Sequence, residues 1–157
     1  MKRRITNRPE QTQQIALMEW VRMMERVDPR MRLVIHPPNA AKRGKVDAAM
    51  MKRAGMRAGV PDILCLFPSP TRAGLAIEMK APGRRSDTSD AQREMMAALD
   101  DAGWRVVVCD HWTHAAREIA EHAGLPARYW PEVPVVRLPV RAVRKKAATP
   151  VEKGAPA

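Results

Sequence analysis

In the stretch GVPDILCLFPSPTRAGLAIEMK, residues 59 to 80, three side chains could do chemistry: Asp62, Glu78 and Lys80. They border two apolar runs that read as buried strands joined by a Pro-rich link. Charges in such surroundings are costly unless something binds them. Folded as an antiparallel hairpin with its loop centred near Pro70, the runs set Asp62 across from Glu78, with Cβ atoms about 5 Å apart. Lys80, two residues beyond Glu78, points to the same face. A register slip of one residue would undo the cluster. Two close carboxylates repel, and one ammonium leaves their pocket net negative. A hard divalent cation, Mg²⁺ or Mn²⁺, suits oxygen donors of this kind. Next to a basic surface, such a cation suits phosphodiester chemistry. It polarises the phosphoryl oxygen and acidifies a bound water, while Lys80 orients that water or neutralises developing charge. A metal-free cross-strand ion cluster fits the same spacing, and spacing alone does not choose between the two.

The elements that must hold these residues can be read from patterning. Residues 9 to 27 predict a helix started by Pro9, with Ile15, Met18, Trp20 and Val21 on its apolar face. MRLVIH (31–36) predicts a strand ended by the PPN turn, and residues 45 to 54 a short helix closed by Gly55. VPDILCLF and GLAIEMK are the two strands of the hairpin. The next helix has Ser89 as N-cap, Gln92 completing a capping box and Gly103 as its stop. WRVVVCD is a buried strand, and residues 112 to 123 form a last helix, with Thr113 as cap and Gly124 at its end. The methionines Met23, Met24, Met50, Met51, Met95 and Met96 are expected to fill the core, as are Trp20 and Trp104. After Gly124, prolines recur without an amphipathic period. Residues 125 to 157 therefore read as a Pro-rich arm followed by a basic, disordered tail, and residues 1 to 124 as the folded domain.

The 157 residues carry a net charge of +11, unevenly distributed. Between residues 30 and 57, eight basic side chains face Asp47 alone, and Arg84 and Arg85 follow the EMK stretch. Such clustering around the odd carboxylates suits a polyanion, most simply nucleic acid. Cys65 and Cys109 lie in apolar runs without metal-ligand spacing and read as buried thiols of a reducing cytosol. No signal peptide and no stretch of membrane-spanning length is evident, so a cytoplasmic protein is expected.

PD at 61–62 followed by EMK at 78–80 is similar to the PD-(D/E)XK nuclease signature. Together with GVPD at 59–62, GLAIEMK at 74–80, Gln92 on the next helix and GWRVVVC at 103–109, it resembles the VRR-NUC family. PPNAAKRG at 37–44 adds to this, with Asn39 and Arg43 matching a P-N-x-x-x-R segment, although Ala40 and Ala41 stand where acidic or glycine residues are more usual. The resemblance spans residues 9 to 123. It implies an α/β fold with a restriction-endonuclease-like core, a mixed central β-sheet flanked by helices in the order αβ(α)ββαβα. It also implies metal-dependent cleavage of DNA that leaves a 5′-phosphate. Asp62, Glu78 and the backbone carbonyl of Met79 would hold Mg²⁺ or Mn²⁺, Lys80 would be the catalytic lysine, and Gln92 would place the water or the phosphate. A first-helix glutamate is also implied: Glu10, which Gln13 and Gln14 follow, or else Glu19. Phosphate contacts are expected from Asn39, Arg43, Lys45, Lys52, Arg53, Arg84 and Arg85. Stand-alone members of the family resemble enzymes that act on branched DNA such as Holliday junctions, where symmetric cuts call for a homodimer. The alternatives are a monomeric nickase or flap nuclease and a non-catalytic DNA-binding module. A phage or bacterial origin is expected.

Overall fold

A computed structural model of the chain describes residues 9–37 and 45–133. Asn39 and Arg43 lie outside the described residues, as do the side chain of Lys45 and residues 134–157 of the expected arm and tail. In chain order the elements are α1 (Pro9–Met24), a 3-10 helix (Pro29–Leu33), β1 (Val34–Ile35), α2 (Lys45–Arg53), β2 (Ile63–Cys65), β3 (Leu75–Met79), α3 (Asp90–Asp101), β4 (Arg105–Cys109), α4 (Trp112–Ala123) and a 3-10 turn at Ala127–Tyr129. The strands lie side by side in the order β1-β2-β3-β4. The first two pairings are antiparallel and β3 with β4 is parallel, with α3 as the crossover. The mixed sheet flanked by helices is the architecture expected from the sequence.

β3 is buried along its whole length. Leu75, Ile77 and Met79 point to one face with Ile63 and Cys65. There they meet Leu17 and Val21 of α1 and Ala115, Ala116 and Ile119 of α4. That side is the core. Ala76, Glu78 and Lys80 alternate to the other face, towards α3. The register pairs Ile63 with Ile77, Leu64 with Ala76 and Cys65 with Leu75. One step further along, the same register sets Asp62 opposite Glu78, as the hairpin reading required.

Several local expectations change. The buried stripe of α1 is Leu17, Trp20 and Val21, whereas Ile15 is 53% exposed, because α1 docks on α4 from the side that Ile15 does not share. MRLVIH is mostly not strand. Asp28 caps a 3-10 turn by accepting the Arg30 N–H at 2.9 Å, Pro29 sits in its first turn, and only Val34 and Ile35 join the sheet. Met31 fills the core, but Met23 and Met50 do not, at 60% and 67% exposure. His111, not Thr113, caps α4: its ring accepts the Thr113 N–H at 3.3 Å, while Thr113 itself is buried. Past Gly124 the chain does not leave the body at once. Leu125 is in the core, Trp130 Nε1 donates to the Leu125 carbonyl at 2.8 Å, and the Arg117 guanidinium lies over the Trp130 ring. Cys65 and Cys109 are free and buried, and burial pushes both thiols up to about 12. None of the helices in the described residues is long and apolar enough to cross a membrane.

Candidate active site

The site is built where β2 begins, β3 ends and α3 begins. Glu78 and Lys80 share the α3 face of β3, and the Lys80 Nζ donates to Glu78 Oε1 at 2.9 Å. The same ammonium donates to Gln92 Oε1 at 3.1 Å, and Gln92 Nε2 donates to Glu78 Oε1. Gln92 Oε1 also accepts the Ser89 N–H at 2.9 Å, while Ser89 Oγ accepts the Gln92 N–H at 3.3 Å. The capping box and the contact with the carboxylate are therefore both present. A residue in the first turn of a helix, tied to its cap, is locked by that helix and holds the carboxylate still.

Asp62 enters from the residue just before β2. Its Oδ2 accepts the Met79 N–H at 3.0 Å, and its backbone carbonyl lies 2.6 Å from His36 Nδ1. A backbone contact explains how this loop is held. Gly59 has φ +80°, and a Cβ there would come within 2.0 Å of the Ala91 carbonyl oxygen. The loop that delivers Asp62 thus lies directly on the first turn of α3, the turn that carries Gln92. Only glycine permits both the left-handed backbone and the close approach.

Glu10 Oε1 accepts the Ala81 N–H at 3.2 Å, so the first-helix glutamate beside the site is Glu10. Glu19 is exposed. Nine residues on from Glu10 amount to roughly two and a half helical turns, which puts it on the opposite side of α1.

The electrostatics reflect crowded carboxylates. Burial pushes the Glu78 carboxyl up to about 7; the neighbouring Asp62 and Glu10 charges push the same way, and Lys80 offsets only part of this. Asp62 is also raised, chiefly by burial, against the pull of the Met79 N–H, His36 and Lys80. Glu78 is 2% exposed, and its Oε2 is buried without a hydrogen-bond partner. A hard cation would give the buried oxygen a partner and offset the crowding that raises the carboxyl. The donors to hand are two carboxylates and backbone oxygen, the set of a metal that keeps several waters. Among the described residues no group of three or more His, Cys, Asp and Glu side chains gathers as a metal cluster.

The expected phosphate contacts are scattered. Lys52 and Arg53 end α2 and are exposed. Arg84 pairs with Asp87 at 2.6 Å. Arg85 Nε donates to Asp110 Oδ1 at 2.6 Å, and its Nη2 lies 2.5 Å from His114 Nδ1. Asp110 Oδ2 also accepts the Gly83 N–H at 2.9 Å, which ties the loop after Lys80 to the end of β4. Sequence reasoning weighed His36 as a strand-end residue of structural use, and passed over Asp110 and the packing of Gly59. Gly59 carried a legible signal, a glycine two residues before the PD pair.

A mixed sheet with an acidic pair, a lysine two residues beyond the second acid and a helix-borne glutamine defines a nuclease of the PD-(D/E)XK type. The VRR-NUC domain profile matches residues 5–112, and the chain belongs to that family. A solved structure described as a VRR_NUC domain protein is 26% identical to it, with a TM-score of 0.62 over 77% of this chain and 93% of that chain. A comparison with curated proteins finds no match. Membership makes the protein a nuclease, with DNA as its substrate.

Proposed function

We propose that the protein is a Mg²⁺- or Mn²⁺-dependent endodeoxyribonuclease that cuts branched DNA, Holliday junctions among them, as a homodimer in the cytoplasm of a bacterial or phage-infected cell. The observation that carries the metal dependence is the buried, unpartnered Oε2 of Glu78 beside the Asp62 carboxylate. Asp62, Glu78 and the Met79 carbonyl would hold the cation. When bound, it supplies a Lewis acid for the phosphoryl oxygen and acidifies a water.

The side chains do the rest. Glu78 must give up its proton to serve as a ligand, and Lys80, already 2.9 Å away, favours the ionised form. The Lys80 ammonium is the cation at the site that can meet charge developing on the phosphate. Gln92 fixes the lysine and the glutamate relative to each other, so neither must reorient during the reaction. Glu10 holds the Ala81 N–H and with it the chain just past Lys80. Reading by backbone and shape suits a site with basic side chains near it.

The test is cleavage of labelled linear duplex, single strand, flap and four-way junction DNA in Mg²⁺, Mn²⁺ or EDTA, with Lys80→Ala alongside and the protein's mass measured by light scattering. Metal-dependent junction cutting by a dimer, lost in the variant, supports the proposal. A strict monomer that prefers flaps or nicks replaces the symmetric reading with a monomeric nuclease. Binding without cutting in either metal leaves a non-catalytic DNA-binding module.

A further inference from the structure

Beside the carboxylates an open groove of about 690 Å³ runs between α2, α3 and the sheet. Its floor is Pro61 and Leu64. Met95 and Leu99 of α3 form one wall, and Met51 and Met56, on and just after α2, form the other. The groove adjoins the candidate site. Pro61 adjoins Asp62. Leu64 pairs with Ala76, so it lies on the sheet face that carries Asp62 and Glu78, about 7 Å along the strand from Asp62. Met95 follows Gln92 by one turn of α3.

Its chemistry is unlike that of the site it adjoins. The floor and walls are aliphatic or thioether, while Arg57 stands among the lining residues and the exposed Lys52 and Arg53 end α2 nearby. An apolar slot with cations near its rim, next to a phosphodiester site, matches a nucleotide: a flat apolar base flanked by backbone phosphates. Thioether sulfur makes favourable contacts with aromatic rings, and three methionines can adapt to any of the four bases. Seven ångströms is about two nucleotides of axial rise.

We propose that this groove receives one unstacked nucleobase of the strand being cut, within about two nucleotides of the scissile phosphate; the inference rests on the nuclease reading above. Extruding a base from an intact duplex is costly, and the cost falls when the base is already unpaired. The groove therefore selects DNA with an unpaired or weakly paired base near the cut, whatever its identity. This gives branched substrates an advantage that the phosphate contacts alone do not supply.

The experiment uses the full chain in EDTA, where it binds without cutting, and branched DNA carrying 2-aminopurine or an abasic site at successive positions near the cleavage point. Cleavage of the unmodified DNA in Mg²⁺ is measured in parallel. At one position within about two nucleotides of the cut, 2-aminopurine emission rises several-fold on binding, and an abasic site there weakens binding by the wild type about tenfold. Met56→Ser and Met95→Ser weaken binding of intact DNA by a similar factor and lose the sensitivity to the abasic site. Met50→Ser, on the exposed side of α2, leaves both unchanged. Affinity indifferent to the abasic site at every position overturns the proposal, even if the wild type cuts DNA normally. So does a pair of groove variants that dissociate a dimer without losing the abasic sensitivity, since the groove would then be a protein interface. Base capture in EDTA with no cleavage in either metal leaves the groove in place and removes only the nuclease reading.

Discussion

The carboxyl of Glu78 should make folding stability depend on pH in a recognisable way. In the folded protein it titrates at about 7 rather than 4.5, so between these values the native state holds a proton that the unfolded chain has released. Its contribution to stability is fully present below pH 4.5 and is lost as pH rises through about 7. A shift of this size corresponds to about 3 kcal/mol, or roughly 6–12 °C in melting temperature for a domain of this size. The assay is thermal unfolding in EDTA at pH 5, 6, 7 and 8 for the wild type and for Glu78→Gln. The amide of the variant still accepts from Lys80 but cannot ionise. Other pH effects, including those of the +11 net charge, cancel in the difference between the two curves. The wild type should lose about 2.5 kcal/mol relative to the variant between pH 5 and pH 8. At pH 8, Mg²⁺ or Mn²⁺ at about 100 times its dissociation constant should then return about 2.7 kcal/mol to the wild type, and much less to the variant. Parallel curves for the two proteins in EDTA would refute the reasoning, since they would mean that Glu78 is an ordinary ionised partner of Lys80.

Three further outcomes are expected. Gly59→Ala meets both a left-handed backbone and the Ala91 carbonyl and should cost about 2–4 kcal/mol. Gly55→Ala, at φ +97° with no atom nearby, should cost only about 1–2 kcal/mol; equal losses in denaturant melts would show that the contact with α3 is unimportant. Glu10→Gln should slow DNA cleavage about tenfold or more, while Glu19→Gln leaves it unchanged; the reverse pattern in single-turnover assays would move the first-helix carboxylate. Arg85→Ala should lower the slope of log affinity against log salt by about one phosphate contact, and an unchanged slope would confine Arg85 to its pairing with Asp110 and His114.

Much of the candidate site's geometry was legible because it is local. A hairpin has few registers that keep its apolar faces buried, and the one assumed, with its loop near Pro70, set Asp62 against Glu78 as the strand pairing does. Lys80 followed from the period of a strand, and the Ser89–Gln92 box from helix capping alone. The less legible parts depend on partners remote in sequence. α1 could have turned either Ile15 or Leu17 inward; its docking on α4 decided that, and the same docking chose Glu10 over Glu19. Methionine patterning did not separate the buried Met31 from the exposed Met23 and Met50, because an amphipathic period says that a face is apolar and not whether another element covers it. The 3-10 turn before β1 was missed because β-branched residues suggested a strand where the Asp28 cap and Pro29 imposed a turn.

The sequence by itself determined the order of the elements and the positions of the acid pair, the lysine and the helix-borne glutamine along them, and the resemblance of those motifs to a known family carried the fold class. Only the tertiary structure decided how these groups behave. Burial between β2, β3 and α3 raises Glu78 to about 7 and leaves its Oε2 unpartnered. The contact of Gly59 with Ala91 brings Asp62 and Gln92 to one place. Desolvation and close approach belong to the packed assembly of segments, and no segment carries them alone.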